Sequence, residues 1–254
     1  MNAIFYRALT FVSLSRTCSS RRNLLSFSYC TGLSFDLKDP SLLLGEDGKS
    51  SAVDTSSSFD VIDPSSLSKG DIVARVRLMA APEAHDCILR SEEARAHWKL
   101  TTGLYRSGIL QKWSKLLTEN TDDLAKIMTL ESGKPLVESR GEIRYASSFL
   151  DFYSGEALRP TGAGGGQIIP TPFEDPTSGE ARGSIFVKKM GVGVCGMITP
   201  WNFPTAMITR KVGPALAAGC TAVVKPSKLT PLSAIAAWNL GRRAGIPPGV
   251  FELM

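Results

Sequence analysis

Two polar residues lie at the predicted carboxyl ends of strands, Asn202 in "TPWNFP" and Lys225 in "VVKPS". Each follows an apolar run that is predicted to be a strand, and the carboxyl ends of parallel strands are where such sheets bind ligands. The rigid bend between Pro200 and Pro204 would hold the Asn202 amide as a donor to a developing oxyanion. Lys225 with Ser227 suits ribose hydroxyls or a phosphate. Either residue alone is more often an ordinary turn residue, but the pair on adjacent strand ends favours a site.

Other chemistries are less well supported by the sequence. Gly191, Gly193 and Gly196 match G-x-G-x-x-G, but a dinucleotide loop follows a strand and opens a helix, whereas these glycines precede the end of a strand. Small residues for close strand packing explain them better. No P-loop is predicted, because Pro135 follows the Gly-Lys of "ESGKP" and the Gly-Lys-Ser at 48–50 lacks the upstream glycine. Five scattered cysteines and two histidines predict neither a disulfide framework nor a metal site.

The composition is that of a globular protein with a sizeable core: 254 residues, 43% apolar and 21% charged. No apolar run reaches the length of a membrane span, so no membrane partner is expected. The formal charge of +5 comes mainly from four arginines in residues 1–35, and removing their four charges leaves +1. This distribution argues against a nucleic-acid-binding surface.

The N-terminal region predicts targeting. Residues 1–35 contain Arg7, Arg16, Arg21 and Arg22, many serines, and neither lysine nor acid. This composition is typical of an organellar transit peptide, with the mitochondrion favoured over the plastid. An untargeted tail is the alternative, and a secretory signal is weaker because no small-residue cleavage site closes the apolar run. Residues 36–58, rich in Ser, Asp and Gly, are predicted to be a disordered linker.

The hydrophobic pattern then predicts an α/β fold. Two short strands (59–64 and 71–78) precede helices that begin at Pro82, at about 103, at 122 or 123 and at about 136. The Gly/Pro-rich stretch 161–184 predicts an irregular arm or hairpin, leading into "IFVKKMGVGVCGMI" as a strand that enters a buried sheet. Strand, helix, strand and helix follow, with Gly219 and Gly245 as helix stops, which indicates parallel strands joined by right-handed crossovers.

Several motifs of the last third carry a family resemblance. The stretch 191–231, with "PWNFP", "ALAAGC" and "VVKPS" in that order, resembles the aldehyde dehydrogenase superfamily. "ESGKP", "EIRYASSFLDFYSGEA" and the strand pair at 59–78 extend the similarity to residues 59–254. The resemblance implies a Rossmann-type, doubly wound parallel sheet that binds NAD or NADP, and a homo-oligomer in which 161–190 is the oligomerisation arm. "MITRK" and the Arg-rich arm narrow it to mitochondrial members that oxidise succinate semialdehyde to succinate in 4-aminobutyrate degradation.

The resemblance also implies residue roles. In the family a cysteine thiolate attacks the aldehyde, a hydride passes to nicotinamide, and a glutamate activates water. Asn202 matches the amide that stabilises the oxyanion, and Arg210 matches the arginine that binds the substrate carboxylate, a task that suits a guanidinium. A solvated helix cation is the alternative for Arg210. The positions that match the cofactor site are Ile198, Thr199, Pro200 and Trp201, with Lys225 and Ser227 near the adenosine ribose.

Two features depart from the family pattern. Position 228 is lysine, where NAD-preferring relatives usually have a glutamate, so we hypothesise that Lys228 raises tolerance for NADP; an exposed loop lysine is the equal alternative. The chain stops at "GVFELM", before the family's nucleophile and base, and none of its five cysteines lies in a matching context. The sequence therefore predicts a catalytically incomplete fragment with exposed apolar edges. The alternative is a non-catalytic half-domain that binds nucleotide or associates with full-length subunits.

Overall fold

The computed structural model describes residues 30–31, 35–43, 57–66, 70–159 and 165–254. The predicted transit peptide lies almost wholly outside the described residues, as do residues 44–56 of the predicted linker. Within the described part, no helix has both the length and the apolar character needed to cross a membrane.

The first half of the fold is a small antiparallel sheet followed by four helices. The sheet has the order β1-β3-β2, from β1 (Cys30–Thr31), β2 (Ser58–Ile62) and β3 (Ile72–Arg77). The helices are α1 (Ala81–Trp98), α2 (Gly103–Glu119), α3 (Thr121–Ser132) and α4 (Leu136–Leu158). These bounds agree closely with the hydrophobic periodicity.

The second half contains the parallel sheet. Its strands are β6 (Val194–Ile198), β7 (Thr221–Lys225) and β8 (Phe251–Leu253), paired in the order β6-β7-β8. Helix α5 (Ala206–Ala217) connects β6 to β7, and α6 (Pro231–Ala244) connects β7 to β8. Helix α1 packs against all three strands, while α5 and α6 pack on β7 and β8 respectively. This arrangement confirms the predicted α/β class with parallel strands.

Glycines end both crossover helices. Gly219 (φ +84°) and Gly245 (φ +105°) adopt the left-handed conformation that only glycine tolerates easily, so each crossover turns sharply into the next segment. Pro214 lies inside α5, one turn before its end. Both predicted helix stops are therefore confirmed.

The parallel strands differ in burial. The first four residues of β7 are buried between its neighbours and the helices. By contrast β6 is an edge strand, where Ile198 is 72% exposed, so the expectation that this part of "IFVKKMGVGVCGMI" lies in a buried sheet is wrong. The reason is that β6 pairs on one side only among the described strands. The exposed apolar edge that the sequence predicts is present here.

Residues 165–190 form an exposed hairpin. Strands β4 (Gly166–Pro170) and β5 (Ser184–Lys188) pair antiparallel, with Ile168 opposite Phe186. The interpretation of "IFVKKMGVGVCGMI" as one strand is wrong, because β5 and β6 belong to different sheets and Gly193 (φ +127°) lies between them. Of the predicted arm 161–190, residues 161–164 lie outside the described residues.

Residues 36–43 differ from the predicted disordered linker. They contain a short 3₁₀ helix (Pro40–Leu42), and Leu42 is fully buried in the core. Asp39 accepts a hydrogen bond from its own turn and pairs with Arg243 of α6, which holds the pKa of Asp39 below its ordinary value. Asn239 donates to the Leu42 carbonyl at 2.8 Å. Composition predicts disorder here because it does not register partners that lie about two hundred residues away in sequence.

Candidate functional site

The carboxyl ends of β6 and β7 meet, as the strand pattern predicts. Ile198 is the register partner of Lys225, and the Thr199 amide donates to the Lys225 carbonyl at 3.1 Å. The sequences that follow, residues 199–205 and 226–230, therefore leave the sheet side by side. We call them the Asn202 bend and the Lys228 loop.

The Asn202 bend presents a free amide. The side-chain amide of Asn202 is exposed and has no hydrogen-bond partner in the part of the chain that the structure describes. The bend is anchored at its start by buried Thr199, which is 4% exposed, whereas Trp201 is 56% exposed. A donor that is fixed by its backbone and unpaired at its side chain suits an oxyanion or a ligand carbonyl.

The Lys228 loop carries two ammonium groups and a hydroxyl. Lys225 and Lys228 are exposed, and Ser227 is half-buried with its hydroxyl accepting the Leu229 amide at 3.2 Å. These donors face outward beside the Asn202 bend. Their chemistry fits the ribose hydroxyls and phosphate of a nucleotide. The predicted cofactor positions on both segments are thus brought together, while their roles stay predictions.

A row of aromatic side chains links Asn202 to Arg210. Asn202 and Phe203 line an open cleft of about 530 Å³ together with Tyr145 of α4. The Tyr145 ring lies 4.6 Å from that of Phe149, centroid to centroid. The exposed guanidinium of Arg210, on α5, lies 5.8 Å from the Phe149 centroid. An apolar wall thus runs from an amide donor to a cation.

Sequence reasoning missed a buried ion pair beneath the Asn202 bend. Glu142 of α4 accepts the backbone amides of Thr205 at 3.1 Å and Ala206 at 3.2 Å. Its other oxygen pairs with Lys134, whose ammonium also donates to the Asn202 carbonyl at 2.9 Å. The same ammonium lies 4.5 Å from the Phe203 ring centroid. The sequence shows Lys134 only as part of "ESGKP", and no local spacing connects it to Asn202.

A second buried glutamate holds the Lys228 loop. Glu131 of α3 accepts the amides of Leu232 at 2.7 Å and Ser233 at 2.9 Å, the first N–H groups of α6. Burial raises the pKa of Glu131 to about 8, opposed by its hydrogen bonds from Ser233 and Leu232. Each helix that leaves the sheet at the site therefore begins on a glutamate side chain from another helix.

The cysteines that the structure describes do not suit a nucleophile. Cys87 and Cys220 are buried. Cys195 is half-buried near the start of β6, away from the carboxyl ends of the strands. Burial raises the pKa of Cys87 and raises that of Cys195 to about 11. Since the thiolate is the reactive form, these environments disfavour nucleophilic attack. Cys220 is a small residue of the core, while Cys195 is only partly buried.

The glycine triplet is not a dinucleotide loop. It precedes and enters β6 instead of opening a helix. A Cβ at Gly191 would lie 3.0 Å from both the Ala218 carbonyl oxygen and the Cys220 sulfur, so a small residue is needed there for close packing.

Comparison with known proteins places these features in a family. The model of the aldehyde dehydrogenase family matches residues 52–254. The chain is 48% identical over 185 residues to a mitochondrial succinate-semialdehyde dehydrogenase of Arabidopsis thaliana, covering 73% of this chain and 33% of that protein. It is 44% identical over 222 residues to 3-sulfolactaldehyde dehydrogenase of Pseudomonas putida, covering 86% and 43%. An NADP(+) succinate-semialdehyde dehydrogenase of Escherichia coli (strain K12) is 44% identical over 195 residues, covering 77% and 38%.

Solved structures give the same result. The succinate-semialdehyde dehydrogenase of Burkholderia pseudomallei superposes with a TM-score of 0.74 at 44% identity, covering 87% of this chain and 43% of that one. Betaine aldehyde dehydrogenase of Staphylococcus aureus in complex with NAD+ gives 0.70 at 28% identity, covering 82% and 40%. This chain thus spans less than half the length of the relatives it matches. It belongs to the aldehyde dehydrogenase family.

Proposed function

We propose that this chain is part of an enzyme that oxidises succinate semialdehyde to succinate with NAD or NADP. The described residues would supply the nucleotide site and the oxyanion donor. One observation carries this proposal: the unpaired Asn202 amide and the Lys225 ammonium leave adjacent strand ends, joined by the Ile198–Lys225 register. When bound, NAD(P) accepts the hydride. The residues of this chain bind and orient it, and the Asn202 amide donates to the oxygen that gains charge.

The aromatic row supports an aldehyde with an anionic far end. With the aldehyde oxygen at Asn202, a short aliphatic chain would lie along Tyr145 and Phe149 and bring a carboxylate to Arg210. The guanidinium lies against Phe149, which leaves its N–H groups available for a bidentate pair. Several relatives are named for semialdehydes or for 3-sulfolactaldehyde, which are aldehydes of this kind.

The cofactor proposal rests on the two segments that leave the sheet. Lys225 and Ser227 would bind the adenosine ribose, with Lys228 available to a 2′-phosphate. Ile198, Thr199, Pro200 and Trp201 would form the wall beside the nicotinamide half. The donors are exposed and unpaired in the described structure, apart from the Ser227 hydroxyl, which accepts the Leu229 amide. This donor set fits an anionic, hydroxyl-rich ligand.

The environment of the described cysteines bears on whether this chain can itself oxidise an aldehyde. Because none of the described cysteine side chains suits the role of a thiolate nucleophile, we expect the described part of the chain to bind nucleotide without oxidising aldehyde. The second candidate function, association with full-length subunits, is favoured by the exposed hairpin β4–β5.

Mitochondrial targeting by residues 1–35 stays part of the proposal, supported by their composition and by the names of mitochondrial relatives.

The experiment is a titration of the purified chain with NAD+ and with NADP+, followed by tryptophan fluorescence. Trp201 lies at the proposed site, while Trp98 and Trp113 are buried. We expect saturable quenching, and Lys225→Ala to weaken the affinity about 10-fold, as the loss of a charge-assisted hydrogen bond does. Lys112→Ala, an exposed lysine on α2, is the matched control and should leave it unchanged.

The same samples are then given succinate semialdehyde, and nucleotide reduction is followed by absorbance at the nicotinamide band. No turnover with measurable nucleotide binding would agree with the proposal. Turnover by the chain alone would contradict the statement about its cysteines, and the absence of nucleotide binding would contradict the cofactor site.

A further inference from the structure

The Asn202 bend has few hydrogen bonds of its own. Pro200 and Pro204 have no N–H to donate, and the Thr199 amide is bonded back to β7. The amide of Thr205, which ends the bend, donates to Glu142 of α4. A loop with two prolines is stiff in φ, but its position relative to the sheet depends on what it contacts.

Lys134 and Glu142 bind this bend at its middle and at its C-terminal end. The Lys134 ammonium binds the carbonyl of Asn202, a residue that lines the cleft. Through its pair with Glu142 it is also connected to the amides of Thr205 and Ala206. The Glu142 side chain is 1% exposed and that of Lys134 is 15% exposed, so both charges interact in a medium of low dielectric constant.

The first amides of α5 are bonded partly within the bend and partly to α4. Thr205 stands at the N-cap position, and its buried hydroxyl has no partner among the described residues. The Met207 amide donates to the Phe203 carbonyl at 2.9 Å, whereas the amides of Thr205 and Ala206 donate to Glu142. The beginning of α5, and with it the end of the Asn202 bend, is therefore registered against α4.

From these contacts we propose that Lys134 and Glu142 are positioning residues for Asn202. Lys134 binds the carbonyl of Asn202 and Glu142 binds the amide of Thr205, three residues further along the chain, so the segment between them has one orientation. The direction of the Asn202 side chain follows from that orientation. The positioning serves catalysis only if Asn202 has the proposed oxyanion role, but the positioning itself does not rest on that role.

Glu131 offers a matched comparison within the same chain. It is equally buried, and it accepts the first amides of α6 as Glu142 does for α5. However, it holds the Lys228 loop and not the Asn202 bend. Glu131→Gln and Glu142→Gln are thus the same substitution at the beginnings of two helices, and only the second changes a residue that contacts the bend.

Trp201 reports on the bend directly. It is the neighbour of Asn202 and is 56% exposed, while Trp98 and Trp113 are buried and Trp238 is partly buried. Acrylamide quenching and time-resolved anisotropy of the whole chain therefore report chiefly on Trp201. A Trp201→Phe chain supplies the background of the other three. Urea unfolding of each variant establishes that it is folded under the conditions of the measurement.

In Lys134→Met and in Glu142→Gln we expect faster local motion of Trp201, seen as a loss of anisotropy, and stronger quenching. The double variant Lys134→Met/Glu142→Gln removes both charges together, so it avoids a buried unpaired charge and keeps the test available if a single variant does not fold. Glu131→Gln should leave the Trp201 signals as they are in the unsubstituted chain.

Three results would overturn the proposal. The first is a folded Lys134→Met or double variant with unchanged Trp201 anisotropy and quenching. The second is an equal change in Glu131→Gln, which would indicate general loosening. The third is the loss of cooperative unfolding in every variant of the pair, which would make it a folding element only. Nucleotide titration of the unsubstituted chain is independent of all three, so failure of the proposed function would be seen separately.

Discussion

At the residue scale, the candidate site depends on side chains left without partners. Asn202, Lys225 and Lys228 are exposed and unpaired in the described structure, which costs a folded protein little at the surface and leaves donors for a ligand. Position 228 is the one where residue type alone should decide between two cofactors. A lysine ammonium attracts a 2′-phosphate, whereas a glutamate repels it and accepts ribose hydroxyls.

We therefore expect Lys228→Glu to raise the ratio of the dissociation constant for NADP+ to that for NAD+ by roughly 3- to 10-fold, as for an exposed charge. The variant should thus prefer NAD+ more strongly. Fluorescence titration with each nucleotide measures the ratio. Lys112→Glu, which makes the same charge change on α2, controls for net charge. If both variants leave the ratio unchanged, Lys228 is an ordinary loop lysine.

At the scale of elements, the two segments of the site are held in place where helices α5 and α6 begin. Helices α5 and α6 each begin on a carboxylate from α3 or α4, although Thr205 and Thr230 occupy their N-cap positions. Both hydroxyls are buried and have no partner in the described part of the chain. Each glutamate accepts two backbone amides at the beginning of its helix, whereas a threonine hydroxyl at an N-cap ordinarily accepts one.

Glu131 should make stability depend on pH. Burial raises its pKa from 4.5 to about 8 in the folded chain, so between these values the folded state binds more protons than the unfolded state. Stability from this group is complete below about pH 4.5 and is lost as the pH rises through about 8. We expect Glu131→Gln to reduce the fall in free energy of unfolding over that range.

Urea denaturation at several pH values from about 4 to about 9, which cover this range, measures the effect. Glu93→Gln, at an exposed position on α1, is the control and should follow the unsubstituted chain. Identical pH profiles for all three chains would show that Glu131 stays ionised, with the amides of Leu232 and Ser233 outweighing burial.

At the scale of the whole molecule, the described chain exposes apolar surface that a globular protein normally covers. On the hairpin β4–β5, Ile168 is 65% exposed and its register partner Phe186 is 78% exposed. Val192, before the edge strand β6, is 90% exposed. Surfaces of this kind mark contacts with other protein, in accord with the proposed role of 161–190 as an oligomerisation arm.

We expect the chain to self-associate through this hairpin, and Ile168→Lys with Phe186→Asp to shift it toward the monomer. The two side chains face each other across the strands, so the substitutions remove one apolar patch and leave an opposite-charge pair that the hairpin tolerates. Sedimentation velocity measures the association. Thr177→Asp, at the tip of the arm, adds a charge without removing apolar surface. Equal association of all three chains would exclude the hairpin as the contact.

The sequence by itself determined the α/β class, most helix bounds, the two glycine stops and the position of Asn202 and Lys225 at strand ends. These features follow from periodicity and turn chemistry within windows of ten to twenty residues, which is the range over which such signals act. The same local reasoning merged β5 with β6, because it has no means of assigning two adjacent apolar runs to different sheets.

Only the tertiary structure showed what holds the site. Glu142 meets Thr205 across 63 positions in sequence, and Glu131 meets Leu232 across 101. It also placed residues 36–43 against α6, where composition predicts disorder. A buried charge is stable only when its partners surround it, and those partners are chosen by the packing of helices, which no local pattern contains. The sequence therefore determines which chemical groups follow the strands, while the tertiary contacts determine how rigidly these groups are held.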